Sequence, residues 1–206
     1  MLFFLFQVFV ISLTGALAPG PVTASAIAMG ARNKFAGILL TAGHMVIELP
    51  LVIILMLGVE KFLKSGSWQM IIGFVGGAFL IFFAVKMVLE IKTTGVKKQQ
   101  KSKTDRAFLA GIMLSGANPY FPLWWIGVGF NLIKSAEELG ALGFVILGVV
   151  HWLCDLGWLG FLSYASFKGA KLFGVKAQRI VLAVCATVLA VFACKFIYEA
   201  GKILLG

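Results

Sequence analysis

The chain has 206 residues, of which 61% are hydrophobic and 13% charged, with a formal net charge of +10. A soluble domain is about 45–50% apolar and about 25% charged, so this composition cannot cover a water-facing surface and points to a bilayer. The basic excess is then no sign of a nucleic-acid partner, and the positions of the Lys and Arg residues matter more than their number.

A hydrocarbon core about 30 Å thick needs roughly 20 apolar residues per crossing helix. Six stretches meet that length, at 2–29, 35–59, 67–91, 107–131, 139–167 and 177–203. The first resembles a secretory leader at Ala16-Leu17-Ala18. It has no basic N-terminal region and Pro19 follows directly, so it is expected to remain as a span. Within it stands Pro19-Gly20-Pro21. Two prolines remove two backbone donors and glycine admits unusual backbone angles, so the helix should break there.

The second span carries His44 and Glu48, four residues apart and therefore on one helix face. Its lone Pro50 reads as a kink. The third span has Phe83-Ala84-Val85-Lys86 with Glu90, and a Gly73/Gly77 pattern suited to close helix contact. Residues 92–106 read KTTGVKKQQKSKTDR, a basic polar linker without apolar periodicity. The fourth span contains Leu114-Ser115-Gly116-Ala117-Asn118-Pro119, a second expected break where Asn118 can bond a freed backbone group. The fifth has His151 and Asp155, again four apart. The sixth has Phe192-Ala193-Cys194-Lys195 with Glu199. Asn131–Glu138 and Lys168–Arg179 are expected to separate the last three spans.

The same features recur in the same order, so the chain reads as two halves, 1–91 and 107–206, joined by the linker 92–106. Each half has three spans, an odd number, so the second enters the membrane from the opposite side. The expected fold is all-α and integral to the membrane: six transmembrane helices as two inverted three-helix repeats, with broken first and fourth helices. Secondary transporters often have that architecture, with the site near the midplane.

Loops one, three and five hold Arg32, Lys34, Lys92, Lys97, Lys98, Lys101, Lys103, Arg106, Lys168, Lys171, Lys176 and Arg179. The other side holds Lys61, Lys64, Lys134 and Lys202. Short cytoplasmic loops are rich in Lys and Arg, so the first set is expected in the cytoplasm and both termini outside, in a cell (plasma or inner) membrane.

Broken backbone survives in a membrane where it is buried in protein or lines a cavity, and half-helix N-termini suit a carboxylate. Deep ionisable groups are functional by default, and an imidazole beside a carboxylate can exchange a proton. The candidate substrate and ion pathway is therefore Pro19, Gly20, Pro21, His44, Glu48, Asn118, Pro119, His151 and Asp155. Lys86 and Lys195 are weaker candidates, because each stands near a span end and can snorkel to the interface. Trp124, Trp125, Trp152 and Trp158 are able to line a cavity but read more readily as packing or interfacial residues, and Gly157 and Gly160 as packing positions. Cys154, Cys185 and Cys194 read as small buried hydrophobes. No phosphate-loop, dinucleotide or HExxH pattern is present, so neither an enzyme nor a cofactor is expected.

The sequence resembles the LysE-type (LysE/RhtB) amino-acid exporter family. The residues that carry the resemblance are GALAPGP at 15–21, Gly30-Ala31-Arg32 leading into Gly37 and Gly43, Asn118-Pro119, and the Asp155…Trp158 placement. It covers essentially the whole chain. It implies a six-span exporter of amino acids or similar small metabolites, driven by an ion gradient. Pro19, Gly20, Pro21, Asn118 and Pro119 match the family's breaks, and Asp155 a frequently acidic position. The His44–Glu48 pair departs from typical members. The leading expectation is export of a zwitterionic amino acid in exchange for protons, with half-helix ends on the carboxylate and Glu48, Asp155 and the histidines on the ammonium or the protons. One alternative is a divalent metal exporter using His44, Glu48, His151 and Asp155 as ligands. Another is a non-transporting membrane subunit. A homo-oligomer is left open.

Overall fold

The computed structural model describes residues 1–18, 20–58, 66–93, 104–118 and 120–205, and their regular structure is entirely helical. The elements are α1 (Leu2–Ala16), α2 (Pro21–Gly30), α3 (Ala36–Met56), α4 (Gly66–Thr93), α5 (Thr104–Gly116), α6 (Tyr120–Trp124), a π-helical turn (Trp125–Gly129), α7 (Phe130–Glu137) and α8 (Gly140–Leu205). Helix α8 is two arms joined at Gly174, whose φ of 69° only glycine adopts readily.

Among the described residues, four helical segments are long and apolar enough to cross a membrane: Ala36–Met56, Gly66–Leu89, and the α8 arms Gly140–Leu172 and Leu182–Leu204. Helices α1 and α2 make a fifth if the pair, bent by 74°, is one crossing. The bend falls at the expected break. Pro21 opens α2 at a position where its missing N–H costs no helical bond. The fourth stretch is also interrupted: α5 ends at Gly116 and α6 begins at Tyr120. Asn118 Oδ1 accepts the Tyr120 N–H at 3.2 Å, the bond to freed backbone that its side chain was expected to make. Pro19 and Pro119 lie outside the described residues, as does most of the 92–106 linker.

One expectation is corrected. Asn131–Glu138 is not a separator: α7 occupies it, burying Leu132, Ile133 and Ala136 on one face while Lys134 pairs with Glu137 at 2.9 Å. Apolar residues at helical spacing outweigh the charges between them. Lys168–Arg179 is helical apart from the Gly174 break and, as expected, holds the separation between the crossings Gly140–Leu172 and Leu182–Leu204. Pro50 lies inside α3, which runs on to Met56.

Glycines set how closely the helices approach. A Cβ on Gly43 of α3 would strike the Phe108 carbonyl of α5, and one on Gly111 of α5 would strike the Leu40 carbonyl of α3. The two helices cross backbone to backbone, as small residues allow in membranes. A Cβ on Gly73 or Gly77 of α4 would likewise crowd the second α8 arm, 2.8 Å from Ala200 Cβ or 2.6 Å from Ile197 Cγ1. Gly157 has open space around it and serves no such contact.

Two hydrophobic clusters form the interior. One joins α2, α3, α4, α5 and α8 through residues such as Leu40, Leu80, Leu114, Leu159 and Leu189. The other joins α1, α3, α7 and α8 through Phe4, Val8, Leu55, Leu132, Ile133 and Leu147. The outer faces are apolar too: Val75, Phe82, Val85, Val145, Leu153, Phe161, Val184 and Val191 are exposed. An apolar exterior over an apolar interior fits lipid rather than water as the surrounding medium.

Candidate functional site

The ionisable residues of the second and fifth stretches stand where the two clusters part. On α3, His44 and Glu48 lie between Leu40 of the first cluster and Leu55 of the second; on α8, His151 and Asp155 lie between Leu147 of the second and Leu159 of the first. Between them is a cavity of about 80 Å³, well below the several hundred typical of a drug-sized ligand site. Its wall includes Gly20, Pro21 and Thr23 of the first break, Asn118 and Tyr120 of the second, and all four ionisable residues. No Lys or Arg is on the described wall.

Glu48 is fully engaged. The indole N–H of Trp125 donates to Oε1 at 3.0 Å and that of Trp152 to Oε2 at 2.6 Å. His151 Nε2 bonds Oε1 at 3.0 Å, and His44 Nε2 lies 3.4 Å from the same oxygen. A carboxylate 1% exposed is tolerated in such a place only with partners of this kind. Asp155 is the opposite case. It is 7% exposed, and its Oδ2 is buried without a hydrogen-bond partner, 3.5 Å from His151 Nε2 and 3.8 Å from His44 Nε2.

The two histidines are held crosswise. His44 of α3 meets Ser115 of α5 through Nδ1 at 2.7 Å, and His151 of α8 meets Ser12 of α1 through Nδ1 at 2.9 Å. Each Nδ1 is thereby occupied and each Nε2 faces the carboxylates. Aromatic rings fix the imidazoles: Phe121 meets His44 edge-on at 4.8 Å, and Trp124 and Trp125 flank His151 at 5.5 and 5.0 Å. Trp124 also donates to Thr14 Oγ1 at 3.3 Å, tying the α6 end to α1.

At the first break the N-terminus of α2 opens on the same cavity. Gly20 precedes it in extended conformation, and no side chain caps the helix. The Thr23 hydroxyl turns away, donating to the Ala18 carbonyl at 3.2 Å. The free N–H groups of a first helical turn attract an anion.

The structure thus brings Gly20, Pro21, His44, Glu48, Asn118, His151 and Asp155 to one cavity. Lys86 and Lys195 are exposed and away from it; Lys86 Nζ lies over the Phe82 ring at 4.6 Å. Sequence reasoning gave no role to Ser12 and Ser115, and it ranked a cavity-lining place for Trp124, Trp125 and Trp152 below packing. Hydroxyls inside apolar spans, and indoles beside a break or a histidine, were the available signals. Trp125 and Trp152 were assigned to packing, yet they supply two of the bonds that hold Glu48. Cys154 and Cys185 are buried as expected, whereas Cys194 is exposed on the apolar exterior.

A sequence-family model described as LysE type translocator matches residues 13–200. No curated protein and no solved structure is significantly similar to the chain. The matched region takes in both breaks, the four ionisable residues and every crossing helix but the first turns of α1 and the last residues of the second α8 arm, and on that coverage the chain belongs to the LysE type translocator family of membrane transporters.

Proposed function

We propose that the chain exports an amino acid or a similar small zwitterion from the cell, exchanging it for protons. The observation that carries this reading is the pairing of opposite preferences on one cavity: an uncapped α2 N-terminus, suited to a carboxylate, and the Asp155 carboxylate, whose Oδ2 has no hydrogen-bond partner among the described residues and suits an ammonium. Glu48, held by two indoles, positions His151 and His44. The histidines carry the exchanged protons, because each Nε2 faces a carboxylate and each Nδ1 has a serine behind it.

In this reading the chain crosses the membrane six times, with α5, α6, the π-helical turn and α7 forming the fourth crossing. Residues 1–91 and 107–206 are inverted repeats, and 92–106 is a cytoplasmic linker. Support comes from the matching breaks at 17–20 and 117–119 and from the crosswise histidine–serine pairs. The end of the fifth span, which leads into the fifth loop, lies against the end of the first span and the first loop: Ser163 Oγ donates to the Lys34 carbonyl at 2.9 Å and Ser166 Oγ to that of Ile27 at 2.6 Å. The basic charge shared by the two loops favours the cytoplasmic side, with the termini outside. Rocking one repeat against the other would open the small cavity to each side in turn.

A thermal-denaturation screen of the purified protein against amino acids tests the site. A ligand that binds the folded state raises its melting temperature. At least one zwitterionic amino acid is expected to stabilise the wild type and to lose that effect in Asp155→Asn. Stabilisation that survives the substitution unchanged would place the ammonium elsewhere.

A further inference from the structure

The four ionisable side chains form a ring in which nitrogen and oxygen alternate. His44 Nε2, Glu48 Oε1, His151 Nε2 and Asp155 Oδ2 succeed one another at 3.4, 3.0 and 3.5 Å, and 3.8 Å closes the ring. The ligand atoms of His44, Glu48 and Asp155 lie within 4.8 Å of one another. A tetrahedral zinc ion with bonds of about 2.0–2.1 Å sets neighbouring ligand atoms roughly 3.3–3.4 Å apart, inside the range of these edges.

Three further observations point to a cation. Asp155 Oδ2 is buried without a hydrogen-bond partner and lines the cavity. Each imidazole is backed at Nδ1 by a serine hydroxyl, which donates or accepts and so serves either tautomer. This leaves Nε2 free to hold a proton or a metal, the usual support for a ligating histidine. The described wall carries no Lys or Arg to repel a cation.

We propose that this ring binds one divalent transition-metal ion of the kind that accepts imidazole and carboxylate together, in competition with the cationic group of any substrate at Asp155. Binding displaces the Nε2 protons of His44 and His151, so metal uptake releases protons. The site rests on the ring itself and does not require the amino-acid reading.

The test uses the full chain, purified in detergent and stripped with a chelator, titrated with Zn²⁺ in dilute buffer while heat and released protons are recorded. Co²⁺ serves as an optical probe of a mixed nitrogen and oxygen site. One Zn²⁺ per chain is expected, with affinity at least tenfold weaker in both Asp155→Asn and His44→Ala, and unchanged when Cys154, Cys185 and Cys194 are all replaced by Ala. Wild-type melting temperatures in the variants show that they are folded, and using two variants guards against failure of one. Zn²⁺ affinity that ignores both substitutions, or that vanishes with the cysteines, would overturn the proposal. Zn²⁺ binding without amino-acid binding would leave the ring standing and remove the export reading; amino-acid binding without Zn²⁺ would do the reverse.

Discussion

Glu48 and Asp155 are equivalent in sequence, each one helical turn from a histidine in an apolar span, yet their surroundings differ. Glu48 accepts from two indoles and an imidazole, whereas Asp155 Oδ2 accepts from none. Hydrogen bonds to a charged group contribute about 1.5–3 kcal/mol each. Glu48→Gln is therefore expected to destabilise the protein by on the order of 3 kcal/mol, read as a lower melting temperature in detergent. Asp155→Asn, which keeps the shape and removes a charge whose Oδ2 accepts no hydrogen bond, should leave the melting temperature equal or higher. Equal losses in both variants would contradict this division. Trp152→Phe keeps the ring but removes the donor to Glu48 Oε2, and should cost about 1–3 kcal/mol in the same measurement. The helical spacing of the four ionisable groups was legible in the sequence. Their unequal partners were not, because Trp125 reaches Glu48 from 77 positions away and Trp152 from 104.

The elements were most legible where composition forces the backbone. Pro-Gly-Pro and Asn-Pro marked both breaks, since proline removes helical donors whatever its neighbours do. Helix α7 was missed because Lys134 and Glu137 within it, and Glu138 just after it, resemble a loop until the buried face of Leu132, Ile133 and Ala136 is seen. At the first break, Gly20 has no atom within 4 Å of a built Cβ and its backbone is extended. Gly20→Ser should therefore fold normally. Its hydroxyl would cap α2, as serine commonly does at that position, and weaken binding of a carboxylate ligand several-fold. A titration of ligand-induced stabilisation reads this directly, and unchanged affinity would remove the α2 N-terminus from the site. At the α3–α5 crossing, Gly43→Leu would drive a side chain against the Phe108 carbonyl. Overfilling of that kind costs about 1–3 kcal/mol or more, so the variant should melt well below the wild type.

Across the whole molecule, two apolar clusters meet at one small polar cavity, and the described wall of that cavity carries two carboxylates, two imidazoles and two helix breaks. Composition alone indicated a membrane protein, because so little charge cannot coat a soluble surface. The closeness of the cavity groups depends on helix crossings that glycines such as Gly43 and Gly111 permit, and residue spacing within one helix carries no record of which helix lies opposite. The most direct test of the transport reading is flux through the protein reconstituted in liposomes, with labelled amino acids and an imposed pH gradient. The expected result is amino-acid movement that follows the gradient, collapses when a protonophore dissipates it, and is lost in Asp155→Asn. Flux of equal rate in Asp155→Asn, or amino-acid movement indifferent to the gradient, would contradict it.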